Sequence, residues 1–206
     1  MATDSADDAP RPSDRPRRRD AAATRTAILD SAVRAFSRHG YDGVGVREIA
    51  ADAGCSAMLV NRYFGSKEGL FEEAVHAAFA PRTVIPESDA PLARSLARRL
   101  VERTDPDAET LSPFLLLLRS AANPRAAAIM ARAIERHPQR ALRDQLDGEH
   151  LDQRAMLADA LIAGVWLMRA VLDVAGSDDD ADSLAPYIER MLAPVLGEDA
   201  TAAPRD

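Results

Sequence analysis

Four polar side chains of the right types to read a polymer's edges stand near one short stretch, GCSAMLVNRYFGSK, residues 54–67. They are Arg47, Asn61, Tyr63 and Lys67, the last being the chain's only lysine. A guanidinium pairs bidentately with guanine, and a carboxamide with adenine. A phenol hydroxyl and an ammonium beside a helix start both suit phosphate. Between them runs an apolar quartet, Ala57, Met58, Leu59 and Val60, which a short helix with one buried face cannot hide in full. Val60 and Phe64 lie four apart and share a face, the apolar one that such a helix can bury. That leaves Ala57, Met58, Leu59, Asn61 and Tyr63 on or beside the outer face, with Met58 and Leu59 suited to a thymine methyl or a sugar edge.

Other chemistries find no support in the residue pattern. His39, His76, His137 and His150 are scattered, with no metal-ligand spacing, and there is neither a glycine-rich phosphate loop nor a nucleophile elbow. No catalytic residue, metal or cofactor is therefore expected, and the chain is read as a non-enzyme. Cys55 is the single cysteine, which excludes an internal disulfide and leaves it as a small apolar filler. The net charge of −7 argues against indiscriminate coating of nucleic acid. The charge is uneven, however: residues 15–67 carry a basic excess and residues 173–206 an acidic one, which permits a local nucleic-acid face. No apolar run approaches the roughly 20 residues of a membrane span, and the first residues lack the pattern of a secretory leader. The expected compartment is the cytoplasm, with no membrane partner.

The elements that must hold these side chains are all helical. Residues 1–20 are rich in Pro, Asp and Arg and are expected to be a disordered tail ending in Arg17, Arg18 and Arg19, which could serve as an arm along phosphates or in a minor groove. From Thr24, a candidate cap, Ile28, Leu29, Ala32 and Phe36 recur at helical spacing up to Gly40. Val46, Ile49, Ala50 and Ala53 mark a shorter helix ending at Gly54. Ser56 and Ser66 are candidate caps of a third and a fourth. Helix, tight Ala53-Gly54-Cys55-Ser56 turn, helix is the geometry of a helix-turn-helix, whose second helix fits a DNA major groove.

The joint pattern is more specific than that geometry. AFSRHGYDG, VREIAADAGCS and RYFGSKEGLF, within residues 24–78, resemble the DNA-binding region of the TetR/AcrR family of transcriptional regulators. The resemblance implies base and phosphate contact at Arg47, Ala57, Met58, Leu59, Asn61, Tyr63 and Lys67. The chain departs from the family pattern at Val44-Gly45 and at Leu59, where threonine is usual, and at Asn61, where an aromatic is usual. Two phosphate-binding hydroxyls are thereby lost, which shifts weight onto the arginine arm.

The resulting expectation is an all-α protein: a tail at 1–20, a three-helix DNA-binding domain with its following helix at 21–80, a helical regulatory and dimerisation domain at 81–197, and a tail at 198–206. Helical patterns are expected over 92–103, 108–122, 124–146 with a break at Pro138, 150–174 and 183–196. The apolar stripe of Leu157, Leu161, Gly164, Met168 and Leu172, with Ile188 and Leu192, is wider than one core requires and suggests half of a symmetric interface, as the resemblance also implies. Phe114, Leu117, Leu118, Met130, Ile134 and Trp166 are candidates to line a small-molecule pocket. The implied function is a DNA-binding regulator, a homodimeric repressor released from a palindromic operator by a small-molecule effector. The rival is a helical ligand-binding or interaction protein whose DNA recognition has weakened.

Overall fold

A computed structural model describes residues 14–79, 90–104, 113–172, 174 and 181–198. Of the expected tails, 1–13 and 199–206 lie outside these residues, as do 80–89 at the expected domain junction and the start of the 108–122 pattern. The described elements are helical throughout, in the order α1 (Asp14–His39), α2 (Val46–Asp52), α3 (Ala57–Phe64), α4 (Lys67–Ala78), α5 (Leu92–Arg103), α6 (Pro113–Ser120), α7 (Pro124–Ile134), α8 (Arg140–Arg143), α9 (Leu151–Trp166) and α10 (Ala181–Leu196).

Helix α1 begins at Asp14, so Thr24 does not cap it and Arg17, Arg18 and Arg19 are helical in backbone, not part of a disordered tail. The reason is local: Pro16 falls in the first turn, where a missing N–H costs nothing, and the Arg- and Ala-rich run after it has high helix propensity. Ile28, Ala32 and Phe36 are fully buried at spacing of four and make α1 the spine of the first core. Around it pack Ile49 and Ala50 of α2, Val60 and Phe64 of α3, and Leu70, Phe71, Ala74 and Val75 of α4. The ring of Phe71 meets those of Phe36 and Tyr41 edge-on, with centroids 5.0 and 4.9 Å away.

This core does not stop at the expected boundary at residue 80. Leu116 of α6 and Ala126, Ile129, Met130 and Ala133 of α7 belong to it. Polar contacts sew the same seam: the Tyr41 N–H donates to Ser120 Oγ at 3.0 Å, Arg119 donates to the Ser37 carbonyl, and Asn123 Nδ2 donates to both Asp42 carboxylate oxygens. Gly40, at φ 71°, ends α1 against this seam. A Cβ there would meet the Arg119 carbonyl oxygen, so both the backbone angle and the space call for glycine.

Pro138 does not break the 124–146 helix. It lies in a π-helical turn, Glu135–Gln139, that passes from α7 into α8, the wider turn accommodating the missing donor while Pro138 is buried. A second π-helical turn, Leu167–Val171, continues α9. The second core lies among α5, α8, α9 and α10, with Leu96, Leu100, Leu142, Ala155, Trp166, Ile188, Leu192 and Leu196. Helix α5 follows Pro91, which offers no side-chain cap. Glu198 supplies one from the other end of the domain, its two carboxylate oxygens accepting from the N–H groups of Leu92 at 2.6 Å and Ala93 at 3.1 Å. Glu198 is thus part of the fold and not the start of a loose tail.

Candidate nucleic-acid interface

The turn between α2 and α3 is set by Gly54 at φ 66°, after which the Cys55 N–H closes back onto the Ala50 carbonyl at 2.9 Å. Helix α2 lacks the side-chain cap that threonine would give, as Gly45 predicts. Half of a capping box survives, because Glu48 accepts from the Gly45 N–H at 2.7 Å. Ser56 has the extended backbone of a cap, but its hydroxyl makes no capping bond, contrary to expectation. That hydroxyl is exposed at the helix start. Ser66 does cap α4, accepting from Gly69 N–H at 3.1 Å.

The pair α2–α3 is braced from behind. Ser31 Oγ donates to the Ile49 carbonyl in the buried layer, and Arg34 bridges to Asp52 at 2.7 Å. The hydrogen bond from Arg34 holds the Asp52 carboxyl below its usual range. Arg25 lies over the Phe64 ring at 5.0 Å and pairs with Glu73 at 2.9 Å. Arg25 and Arg34 of α1 are therefore engaged within the protein.

The outer face is different. Met58 is 79% exposed, and Asn61, Arg62 and Arg47 are also exposed. Among the described residues neither Arg47 nor Arg62 forms an ion pair, which leaves two cations directed to solvent on adjoining helices. Arg62 is not among the residues the sequence pattern picks out, although its spacing of four from Met58 places it on the same face. Ala57 and Tyr63 are half-buried against the first core, and Leu59 is half-buried too, so the exposed surface is narrower than the sequence suggests. Lys67 rests its ammonium 4.6 Å from the centre of the Tyr41 ring, partly buried at the start of α4. The side chains of Arg17, Arg18 and Arg19 lie outside what is described.

The six pocket candidates do not come together. Phe114 and Trp166 stack at 5.1 Å beside the second core, whereas Leu117, Met130 and Ile134 join the first, and Leu118 is 46% exposed. Helix α6 lies between the two cores and gives its opposite faces to each. Of the interface candidates, Leu157, Gly164, Met168 and Leu172 are exposed, and Leu161 is partly covered. Ile188 and Leu192 are buried within the chain itself, because their face of α10 packs on α5.

Between α4 and the turn after α7, two imidazoles meet: His76 Nδ1 and His137 Nε2 are 2.9 Å apart. Arg136, which can only donate, approaches His76 Nε2 at 3.4 Å. His76 therefore carries its proton on Nδ1 and donates it to His137. Burial holds the pKa of His137 below its usual value, and the neighbouring His76 and Arg136 push the same way.

Comparison with known proteins decides the family. The profile of the bacterial regulatory proteins of the tetR family matches residues 28–74, and that of a tetracyclin repressor-like C-terminal domain matches residues 90–196, more than half the chain. The chain belongs to the TetR family. Members of this family regulate transcription and are not enzymes. The regulator RaaS of Mycobacterium tuberculosis is 58% identical over 43 residues, a segment covering 21% of this chain and 20% of that one. The chain thus spans about a fifth of that relative's length. The regulator BetI of Burkholderia mallei aligns over 82% of this chain and 94% of its own length at 27% identity. Among solved structures, a TetR-family regulator from Streptomyces coelicolor matches 92% of this chain and 99% of its own, with a TM-score of 0.57 at 23% identity. The multidrug binding protein EbrR in complex with ethidium matches 84% and 98%, with a TM-score of 0.64 at 22% identity. These likenesses establish for this TetR-family chain the all-helical fold. No described helix is long and apolar enough to cross a membrane.

Proposed function

We propose that this TetR-family chain is a cytoplasmic, homodimeric repressor that binds a palindromic operator and leaves it when a small molecule occupies the C-terminal domain. The single observation that carries the DNA reading is the outer face of α3. A helix braced by three others leaves Met58, Asn61 and Arg62 open to solvent, next to Arg47, which forms no ion pair among the described residues. Inserted in a major groove, Arg47 and Asn61 read base edges and Met58 makes apolar contact. Arg62, Tyr63, Lys67 and the arginines at the start of α1 attend to phosphates.

Dimerisation is supported by the exposed apolar faces of α9 and α10. Leu157, Met168, Leu172, Tyr187 and Met191 each leave roughly half or more of their surface to solvent, and Gly164 has open space above it. A single chain has no use for such a surface, and a two-fold axis would bury it against itself. The ligand reading is supported by the structural neighbour EbrR, a multidrug binding protein solved with ethidium and with proflavin. Coupling has a physical route, since α6 and α7 pack into the same core as α1 and α4. A shift in α7 or in the following π-helical turn would move α4 and the reading helix with it.

Selection of binding sites from random DNA tests this. The expected result is a symmetric site bound with an affinity that falls steeply as salt rises. Weak capture indifferent to sequence would instead favour a ligand-binding protein without an operator.

A further inference from the structure

Asp159 of the C-terminal domain is a partly buried carboxylate with one oxygen that the fold does not explain. Asp159 lies on α9 at spacing of four from Ala155, three from Ile162 and seven from Trp166, so it shares their inward face. Ala155 is fully buried and Trp166 is 7% exposed. The Oδ2 atom of Asp159 is closed off from solvent and has no hydrogen-bond partner among the described residues. Burial pushes its pKa up to about 7. A buried carboxylate oxygen without a donor is costly unless something else brings the donor or the countercharge.

The same face supplies the rest of a recognition surface. Trp166 stacks on Phe114 of α6 with ring planes 22° apart, and the π-helical turn begins at the next residue, Leu167. Seven residues of helix place this stack about 10 Å along the axis from Asp159. A metal ion is a poor match, since no group of three or more potential ligands exists among the described residues. An organic cation of about that length is a good one, its positive head on the carboxylate and its apolar body against the rings.

We propose that Asp159 together with the Trp166–Phe114 stack forms the recognition face for an elongated organic cation with an aromatic body. This rests on the reading that the C-terminal domain takes a small molecule, and names the chemical class it selects. Trp166 is the only tryptophan of the chain, so its fluorescence reports on the site directly. The full-length protein is titrated with 4-phenylbutylammonium, 4-phenylbutanol and 4-phenylbutanoate, which differ only in the head group. The ammonium compound should bind about tenfold or more tightly than the alcohol, and the carboxylate most weakly, as a charge-assisted hydrogen bond requires. Asp159→Asn should erase the preference while leaving the alcohol's affinity within about threefold. Asp159→Leu, which removes the polar group altogether, should do the same if the asparagine variant does not fold. Equal binding of the three heads, no response to any of them, or a preference that survives both substitutions overturns the proposal. Operator release is measured separately on the same protein. Head-selective binding with no effect on the operator would sink ligand-released repression and leave the site standing. Release by compounds that bind equally well to the Asp159 variants would do the reverse.

Discussion

Arg47 and Asn61, like Arg62, have exposed side chains with no partner in the protein among those described, whereas Tyr63 and Lys67 are half-buried. Arg47→Ala and Asn61→Ala should each weaken binding to the selected operator by about 1–3 kcal/mol and relax preference at one base position, with little change in melting temperature. A competition assay across single-base operator variants checks this, and a uniform loss across all bases would assign them to phosphate instead. These two were legible in the sequence because a helix-turn-helix fixes which positions face outward. The same periodicity points to Arg62 as well, while Tyr63 and Leu59 are half-buried, since the width of the buried face depends on neighbours that spacing alone does not supply. Asp159 was illegible for a related reason: one Asp on an apolar helix gives no sign of whether it meets solvent. Its folded pKa of about 7 stands above the ordinary 3.8. A raised acid contributes its full stability while protonated in both states, below the unfolded value, and that contribution is lost as pH rises through 7. Asp159→Asn should therefore melt above the wild type at pH 8 to 9 and close to it near pH 4. Parallel melting curves across that range would mean that Asp159 is solvated.

At the scale of elements, glycines that look alike in sequence have different burdens. Gly40 and Gly54 both end a helix in the left-handed region, at φ 71° and 66°. A side chain at Gly54 meets nothing within 4 Å, whereas at Gly40 it collides with backbone atoms of Arg119. Gly54→Ala should cost about 1 kcal/mol, the left-handed penalty alone. Gly40→Ala should cost about 2 kcal/mol more, because carbonyl and helix must move together. Chemical denaturation of both variants separates the two, and equal losses would show that α6 yields easily. The helix boundaries followed the same logic. The pattern over 92–103 gave α5 to the residue, because periodicity and a following break agree there. The start of α1 lies earlier than composition predicts, since a Pro- and Arg-rich run reads as disorder while its Ala-rich continuation supports helix. Pro138 predicts a break because a lost donor usually ends a helix, and the π-helical alternative depends on packing that buries the ring. The capping of α5 by Glu198 joins residues a hundred apart and leaves no trace in either segment.

The whole molecule poses one question that its parts do not: why a chain with two well-filled cores leaves an apolar band along α9 and α10. The exposed members fall on one face of each helix, at Leu157, Gly164 and Met168 on the first and at Tyr187 and Met191 on the second, while the opposite faces hold Ala155, Trp166, Ile188 and Leu192 in the interior. The sequence showed that the stripe was too wide for one core. It could not divide the stripe, because Ile188 and Leu192 are as apolar as their exposed neighbours and only the position of α5 determines which side is covered. The division now makes the choice of substitution specific. Leu157→Glu together with Met191→Glu places charge on the open side, where a monomer tolerates it and a dimer must desolvate like charges across a two-fold axis. The double variant should sediment as a monomer with helical content unchanged. Its affinity for one half-site should stay within about threefold of wild type, while its affinity for the full palindrome drops by about a hundredfold or more as the second head is no longer tethered. Leu192→Ala, on the covered side, should behave oppositely, lowering melting temperature through a cavity of about 2–5 kcal/mol while the folded protein still dimerises. Should the charged double variant remain dimeric and bind the palindrome fully, the two reading heads are held together by some other surface, and the band on α9 and α10 has another partner.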